Sequence, residues 1–381
     1  MLKNLKGRKS FNLMISNLFK LLQLSLSEGN ADALCNGFPQ LSAEEWGRIY
    51  NEADRQTLLG LAFDGVMKLP QELRPPMELM FQWASEAESF SGLNKILNEE
   101  AAKLTEFFRG HGRSCAVLKG QANARLYPNP LCRQPGDIDI WVSGGKKSVV
   151  GLLRETGMQE SLKASPHHTH MKNDRGIDVE VHFRTSSGNY NPFTTRRLLK
   201  YLDREILNSE EVPEGFCAHS TKFALVMQLS HIYRHFVDGG VGLRQIVDYY
   251  VLLKHSSESD RSELMANLDR FGLRKIAGAL MWLLRESFDL DENLMLCKPD
   301  EFRGRWLLRE ILKGGNFGRH VGGERLKWLY WWLGKRKKSL SYWRFDLAET
   351  FWAEVDYLEN VVKRTSVRIR LRKLSLRDVK F

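Results

Sequence analysis

The chain of 381 residues reads as an α+β protein, a small mixed sheet flanked by N-terminal and C-terminal helical regions. Three observations predict this. Residues 11–110 place apolar side chains at helical spacing, and three segments after Thr221 do the same. Between them lie apolar runs of strand length at 115–118, 138–142 and 177–183, with a weaker one at 167–171. Val149, Val150, Leu152 and Leu153 then set a helix over 146–156 between strands, as a mixed α/β segment requires.

The elements follow in order. Ser42-Ala-Glu-Glu45 is a capping box, and the periodic segment it opens runs to about Leu69. Pro70, Pro75 and Pro76 interrupt the pattern. A long helix is expected over 77–108, ending near Gly110 and Gly112. After the sheet segment, 223–236, 243–254 and 277–288 have helical periodicity. The expected division is 1–112 as an N-terminal helical region, 113–205 as the sheet-bearing core, 206–300 as a helical domain packed on it, and 301–381 as a Trp-rich, basic helical extension. No internal repeat or low-complexity linker is visible.

Composition narrows the function classes. A net charge of +11 favours an anionic partner such as nucleotide, nucleic acid or a membrane surface, without choosing among them. Cys35, Cys115, Cys132, Cys217 and Cys297 are odd in number, scattered and free of CxxC spacing. That argues against a disulfide framework and a structural zinc site, and fits a reducing, cytoplasmic compartment. The first residues are basic and then apolar, but Asn12, Ser16, Asn17 and Lys20 interrupt the run, so an amphipathic helix is expected instead of a signal peptide. No stretch is long and apolar enough to predict a transmembrane span.

The chemistry concentrates in two acidic strands. In Asp137-Ile138-Asp139-Ile140 the aspartates share one strand face and the isoleucines the other. Carboxylates this close repel unless a cation lies between them. Magnesium suits such a site, since it takes a few carboxylates and completes its shell with water and phosphate oxygens. The segment 177–183 repeats the alternation, with Asp178, Glu180 and His182 on one face. A neighbouring strand would bring Glu180 or Asp178 beside the pair, and three such carboxylates are what two-metal phosphoryl or nucleotidyl transfer needs. Solvent-facing acids on a half-exposed sheet would give the same alternation.

Upstream, Val117-Leu118-Lys119-Gly120-Gln121 ends a strand on glycine and opens a short helix over 122–126. Backbone amides at such a turn bind phosphate well, and Lys119 adds charge. With Gly120, the Asp137/Asp139 pair and the later acidic strand in hand, the chain resembles the DNA polymerase beta-like nucleotidyltransferase superfamily. Within it, the similarity is to the bacterial "uncharacterised nucleotidyltransferase" family. The residues that carry it are Leu118-Lys119-Gly120, Tyr127-Pro128, Arg133 with Asp137 and Asp139, Glu180 with His182, and the helical stretch from His231 to Asp248. The layout is matched over residues 40–290 and the specific motifs lie within 117–183. The chain departs in having Gly120-Gln121 where Gly-Ser or Gly-Gly is usual, and in a longer, proline-bearing loop before the aspartates.

The resemblance implies the minimal nucleotidyltransferase fold. It implies a magnesium-dependent enzyme, with manganese as the substitute ion, that moves a nucleoside monophosphate from an NTP to an unknown hydroxyl or phosphate acceptor and releases pyrophosphate. Asp137, Asp139 and Glu180 would be catalytic metal ligands, Glu180 also helping to deprotonate the acceptor. Lys119, Gly120, Gln121 and Arg133 would bind the nucleotide, Gln121 standing in for the missing hydroxyl, and Asp178 and His182 would sit behind the ligands. The rival readings are a non-catalytic nucleotide- or nucleic-acid-binding protein on the same fold, and a membrane-surface or protein-partner module led by the basic C-terminus.

Other residues carry weaker signals. His167, His168 and His170 fit an exposed polar edge better than a metal site. His231 and His235, one helical turn apart, fit buried core histidines, and Arg244 and Asp248 have the spacing of an ion pair. The tail combines Trp328, Trp331 and Trp332 with Lys335-Arg-Lys-Lys338, then alternates over Val367-Arg-Ile-Arg-Leu-Arg372. An edge strand, an ordered arm or a disordered tail would each fit, and nucleic acid or anionic lipid is a candidate partner. A tryptophan-rich helix pair covering the core is the favoured reading of this segment.

Overall fold

The computed structural model describes residues 2–29, 32–155, 159–160, 167–173, 175–238, 240–314 and 342–370. The chain opens with helices α1 (Leu2–Leu26), α2 (Asp32–Asn36), α3 (Ala43–Arg55), α4 (Leu59–Lys68) and α5 (Met77–Gly110). The capping box forms: the Ser42 hydroxyl accepts from the Glu45 amide at 3.3 Å, and the Glu45 carboxylate accepts from the Ser42 amide at 2.9 Å. The periodic segment expected to run to Leu69 is two helices, because Thr57 turns the chain with φ +56°. Gly65 then lets α4 lie against α1; a Cβ there would stand 2.0 Å from the Leu21 carbonyl oxygen. Leu18, Leu21, Leu22 and Leu24 of α1 are fully buried. Each contributes roughly 1.5–3 kcal/mol, enough to dock the helix firmly.

The sheet has seven strands: β1 (Cys115–Val117), β2 (Ile138–Val142), β3 (Gln159–Glu160), β4 (His168–Lys172), β5 (Asp178–His182), β6 (Glu210–Glu211) and β7 (Cys217–Ala218), in the order β3-β4-β5-β2-β1-β7-β6. It is mixed: β2 runs parallel to β5 and β1 parallel to β7, while the other neighbours are antiparallel. The strand patterns place the central strands within a residue or two of expectation. The two-residue strands β3, β6 and β7 are too short to leave a period in the sequence.

The two sheet faces differ in kind. Ile138, Ile140, Val142, Val179, Val181 and Met171 point to one side and pack on Leu97, Ala101, Leu104 and Phe108 of α5 and on Val149 and Leu153 of α7 (Gly145–Glu155). The other side carries Asp139, Trp141, Glu180 and His182 and turns toward the later helices. After the glycine turn comes α6 (Gln121–Ala124); beyond the sheet come α8 (Pro192–Glu205), α9 (Thr221–Asp238), α10 (Leu243–Lys254), α11 (Glu258–Asn267), α12 (Arg274–Phe288), α13 (Glu301–Gly314) and α14 (Leu347–Arg370). A second buried cluster joins the first helices to these: Phe19 meets Phe288 edge-on with ring centroids 5.4 Å apart, and Leu307 and Ile311 of α13 close the far end.

At the C-terminus the alternating Val367–Arg370 run is helical through Arg370, the end of α14, and forms no strand. Two-residue alternation of isolated arginines does not outweigh a helix already under way from Leu347. Trp328, Trp331, Trp332, Lys335–338 and residues 371–381 lie outside the described residues. Among the described residues no helix is long and apolar enough to cross a membrane.

Candidate active site

The site begins at the end of β1. The Leu118 amide donates to the Asp139 carbonyl at 2.8 Å, which fixes the strand end beside β2. Two residues on, Gly120 takes φ +58° and ψ −108°, a conformation an L side chain resists. That reversal aims the start of α6 across the polar face of the sheet, and it places Lys119 over the acids with its Nζ 2.9 Å from Asp139 Oδ1.

Strand register settles which carboxylate of β5 joins the pair. In the parallel β2–β5 ladder Asp139 lies opposite Glu180. Oxygen atoms of Asp137, Asp139 and Glu180 all lie within 4.8 Å of one another. Asp178 is drawn out of the group: it sits exposed at the strand start and pairs with Lys172 at 3.2 Å. His182 is beside the acids, its Nε2 2.9 Å from Asp139 Oδ1 and 3.4 Å from Glu180 Oε2.

The electrostatics separate two aspartates that the sequence spaces identically. Burial would raise Asp139, but the Lys119 ammonium and the His182 hydrogen bond outweigh it and hold that carboxyl well below the ordinary range. Asp137, at the cleft mouth, lacks the His182 hydrogen bond, and the Lys119 charge only partly offsets what raises it. Desolvation, then the Asp139 charge, pushes it up to about 6. Burial also works against the charge on Glu180, yet the His182 hydrogen bond keeps its pKa low; His182 in turn is raised by both carboxylates against its own burial.

A cleft over this face is lined by Lys119, Gly120, Asn123, Arg133, Asp137 and Asp139 from the sheet side, and by Gln228, His231, Arg244 and Asp248 from α9 and α10. Arg133 reaches it from a buried seat. Its Nε and Nη2 donate to the two oxygens of Asp248 at 2.7 and 2.8 Å, and Tyr127 donates its hydroxyl to the same carboxylate at 2.6 Å. Nη1 of Arg133 is buried with no hydrogen-bond partner. Asp248 thus belongs to Arg133 and Tyr127, and the i, i+4 ion pair expected with Arg244 does not form. Arg244 instead donates to the carbonyls of Gln134 and Pro135 at 3.0 and 3.3 Å. Burial, then the Arg133 charge, lowers it to about 10.

Gln121 is placed differently from expectation. Its side chain is buried away from the cleft and donates to Asn94 Oδ1 at 3.0 Å. Asn94 of α5 donates in turn to the carbonyls of Leu131 and Arg133 at 2.9 and 2.8 Å. The Gln121 side chain is therefore a strut that holds the Arg133 loop and does not line the cleft. The polar group beside Gly120 in the cleft is Asn123, whose Oδ1 accepts from Gln228 at 2.6 Å. The sequence did hold a signal for α9: Gln228, His231 and His235 recur on one side of an otherwise apolar helix, at helical spacing. His231 and His235 meet edge to face with ring centroids 4.2 Å apart, and burial lowers both, His235 to about 4. His231 faces the cleft, so it is not simply a core histidine.

Three comparisons bear on this geometry. No curated protein shows significant similarity to the chain. Among solved structures, the crystal structure of an antigenic nucleotidyltransferase-like protein from Paracoccidioides brasiliensis is similar at 14% identity and a TM-score of 0.36, covering 55% of this chain and 96% of that one; a likeness that weak transfers no activity. A family model described as "Uncharacterised nucleotidyltransferase" matches residues 42–289, which span α3 through α12 and every residue of the cleft. On that match, the chain belongs to the uncharacterised nucleotidyltransferase family.

Proposed function

We propose that the chain transfers a nucleoside monophosphate from an NTP to a hydroxyl or phosphate acceptor and releases pyrophosphate. The observation that carries this reading is the convergence of Asp137, Asp139 and Glu180 oxygens within 4.8 Å, beside the Gly120 turn. The donor set fits a hard divalent ion. All three ligand atoms are carboxylate oxygens, and Asp137 is raised by desolvation and then by the Asp139 charge, both of which a bound cation would offset. Magnesium, or manganese in its place, would neutralise the triphosphate and activate the attacking oxygen when held there.

The protein's own groups supply the rest. Lys119, Arg133 and Arg244 line the cleft beside Asp137, Asp139 and Asp248, and with the carboxylates neutralised by a divalent ion they would hold the triphosphate. A buried guanidinium N–H without a partner costs about 1–3 kcal/mol, so Arg133 Nη1 is a donor suited to a ligand oxygen. The Gly120 turn presents backbone amides to the same oxygens. Glu180, kept ionised by His182, suits a metal ligand better than a proton acceptor. Gln228 and Asn123 fix one another and offer amide groups for a base or an acceptor.

The test is label transfer from radiolabelled NTPs into cell extract with magnesium, comparing the wild-type chain with Asp139→Asn. Transfer and pyrophosphate release are expected from the wild type, with a loss of about a hundredfold or more in the variant. Equal labelling by both would refute the role of Asp139. Calorimetric NTP binding without turnover across acceptors would favour a non-catalytic nucleotide-binding protein.

A further inference from the structure

A row of imidazoles lies next to the carboxylates, and the proposed reaction uses only His182 of it, as the group that keeps Glu180 ionised. In the antiparallel β4–β5 ladder His168 lies opposite His182, and His170 opposite Glu180. Thr169, Met171, Val179 and Val181 alternate with them and are buried on the other side. The four polar side chains therefore share one face of two paired strands. Ligand atoms of His168, Glu180 and His182 lie within 4.8 Å of one another, and all three side chains are half-buried. Glu180 is also a member of the Asp137/Asp139 group.

The spacings suit an ion with nitrogen ligands. Tetrahedral zinc, with bonds of about 2.0–2.1 Å, holds neighbouring donors roughly 3.3 Å apart. His182 Nε2 stands 3.4 Å from Glu180 Oε2 and 2.9 Å from Asp139 Oδ1, so a bound ion would replace the proton that this nitrogen shares with the two carboxylates. His170 Nδ1 lies 3.2 Å from Glu180 Oε1, on the other side of the carboxylate, and its Nε2 is 3.1 Å from His168 Nε2. His170 thus braces both Glu180 and His168, the supporting contact that metal-binding side chains usually have. A histidine edge that merely faced solvent would not converge on a half-buried carboxylate.

We propose that His168 and His182, with Glu180 as the shared carboxylate, form a second cation site that takes a zinc-class transition ion in preference to magnesium. Imidazole donors favour such ions, whereas magnesium favours oxygen. The site adjoins the tri-carboxylate group, so the two cations would differ in kind. The inference draws on the proposed reaction only in treating Glu180 as common to both groups; binding at His168 and His182 stands without it.

Cobalt(II) is the probe, because its visible d–d absorption reports nitrogen ligation and low coordination number. The full chain, stripped with chelator, is titrated with Co2+. A stoichiometric band is expected, displaced by Zn2+ and unmoved by excess Mg2+. His168→Ala and His182→Ala should weaken binding by about 10–100-fold or more, while Asp137→Asn, which removes a ligand only from the tri-carboxylate group, should keep the band. If His168→Ala loses its fold by circular dichroism, His168→Gln is read instead. Absence of the band in the wild type, an unchanged band in the His168 variant, or displacement by Mg2+ would overturn the proposal. Cobalt binding with no nucleotidyl transfer would sink the proposed reaction and leave this site standing; transfer without the band would do the reverse.

Discussion

Removing Asp248 tests the frame of the cleft. Its carboxylate accepts from Arg133 Nε, Arg133 Nη2 and the Tyr127 hydroxyl within 2.6–2.8 Å, and both charged side chains are only 6% exposed. Intact, the pair contributes little net stability, because desolvating two ions offsets most of their attraction. Asp248→Ala removes the attraction and leaves the cost: a buried guanidinium with one partnerless nitrogen already, now with three. The expected loss is about 3–5 kcal/mol, and the Tyr127 hydroxyl loses its acceptor as well. Urea unfolding followed by tryptophan fluorescence measures it. The double variant Arg133→Met, Asp248→Leu removes both charges and should recover to within about 1 kcal/mol of wild type. An Asp248→Ala protein within about 1 kcal/mol of wild type would show that water reaches Arg133 and that the pair is not the buried frame described.

Further outcomes follow from the same contacts. Gly120→Ala forces an L side chain to φ +58° and ψ −108° and should cost roughly 1–3 kcal/mol in urea unfolding; an unchanged midpoint would mean the turn relaxes freely. Asn94→Ala removes both bonds that hold the Leu131 and Arg133 carbonyls and the acceptor for Gln121, so a loss of about 2–3 kcal/mol with a raised KM for NTP is expected; wild-type kinetics would refute its positioning role. Glu349 of α14 is buried and accepts from the Tyr190 and Asn191 amides, but burial outweighs those bonds and pushes it up to about 7. Since its folded pKa exceeds the ordinary 4.5, its contribution is full at low pH and lost as pH rises from there to about 7. Glu349→Gln should therefore gain roughly 2–3 kcal/mol relative to wild type between about pH 5 and pH 8, and parallel pH profiles of the urea midpoint would refute the shift.

The central strands and the long helices were legible because their periods are long enough to read. The residues of β2 and β5 declared their faces by strict alternation, and Ser42 with Glu45 declared a helix start. The Asp137, Asp139 and Glu180 group needed one more fact that a single sequence lacks, the register that sets Glu180 and not Asp178 opposite Asp139. The same gap hid the imidazole row: His168 and His182 are separated by a turn in the chain, and only the antiparallel pairing makes them neighbours. Gln121 was misplaced for a different reason. Sequence order put it beside the glycine turn, but the first turn of α6 rotates its side chain toward α5, and the cleft receives Asn123 instead. Arg244 and Asp248 show the limit of helical spacing as an argument, since a buried bidentate partner from a distant loop outcompetes a half-solvated neighbour one turn away.

Two aspartates on one strand face are tolerated because the fold gives them unequal surroundings. Asp139 receives an ammonium from one side and an imidazole from the other, so its charge is matched although it is buried. Asp137 lacks the imidazole, feels the ammonium too weakly to offset desolvation and its neighbour's charge, and sits where the cleft opens. The asymmetry arises from the backbone: the Gly120 reversal brings Lys119 over β2, and the parallel ladder puts His182 one strand away and two residues beyond Glu180. A carboxylate with its charge matched in place and a second raised by desolvation and by its neighbour make an unequal pair, so the two aspartates that the sequence spaces alike differ in how readily each gives up its proton.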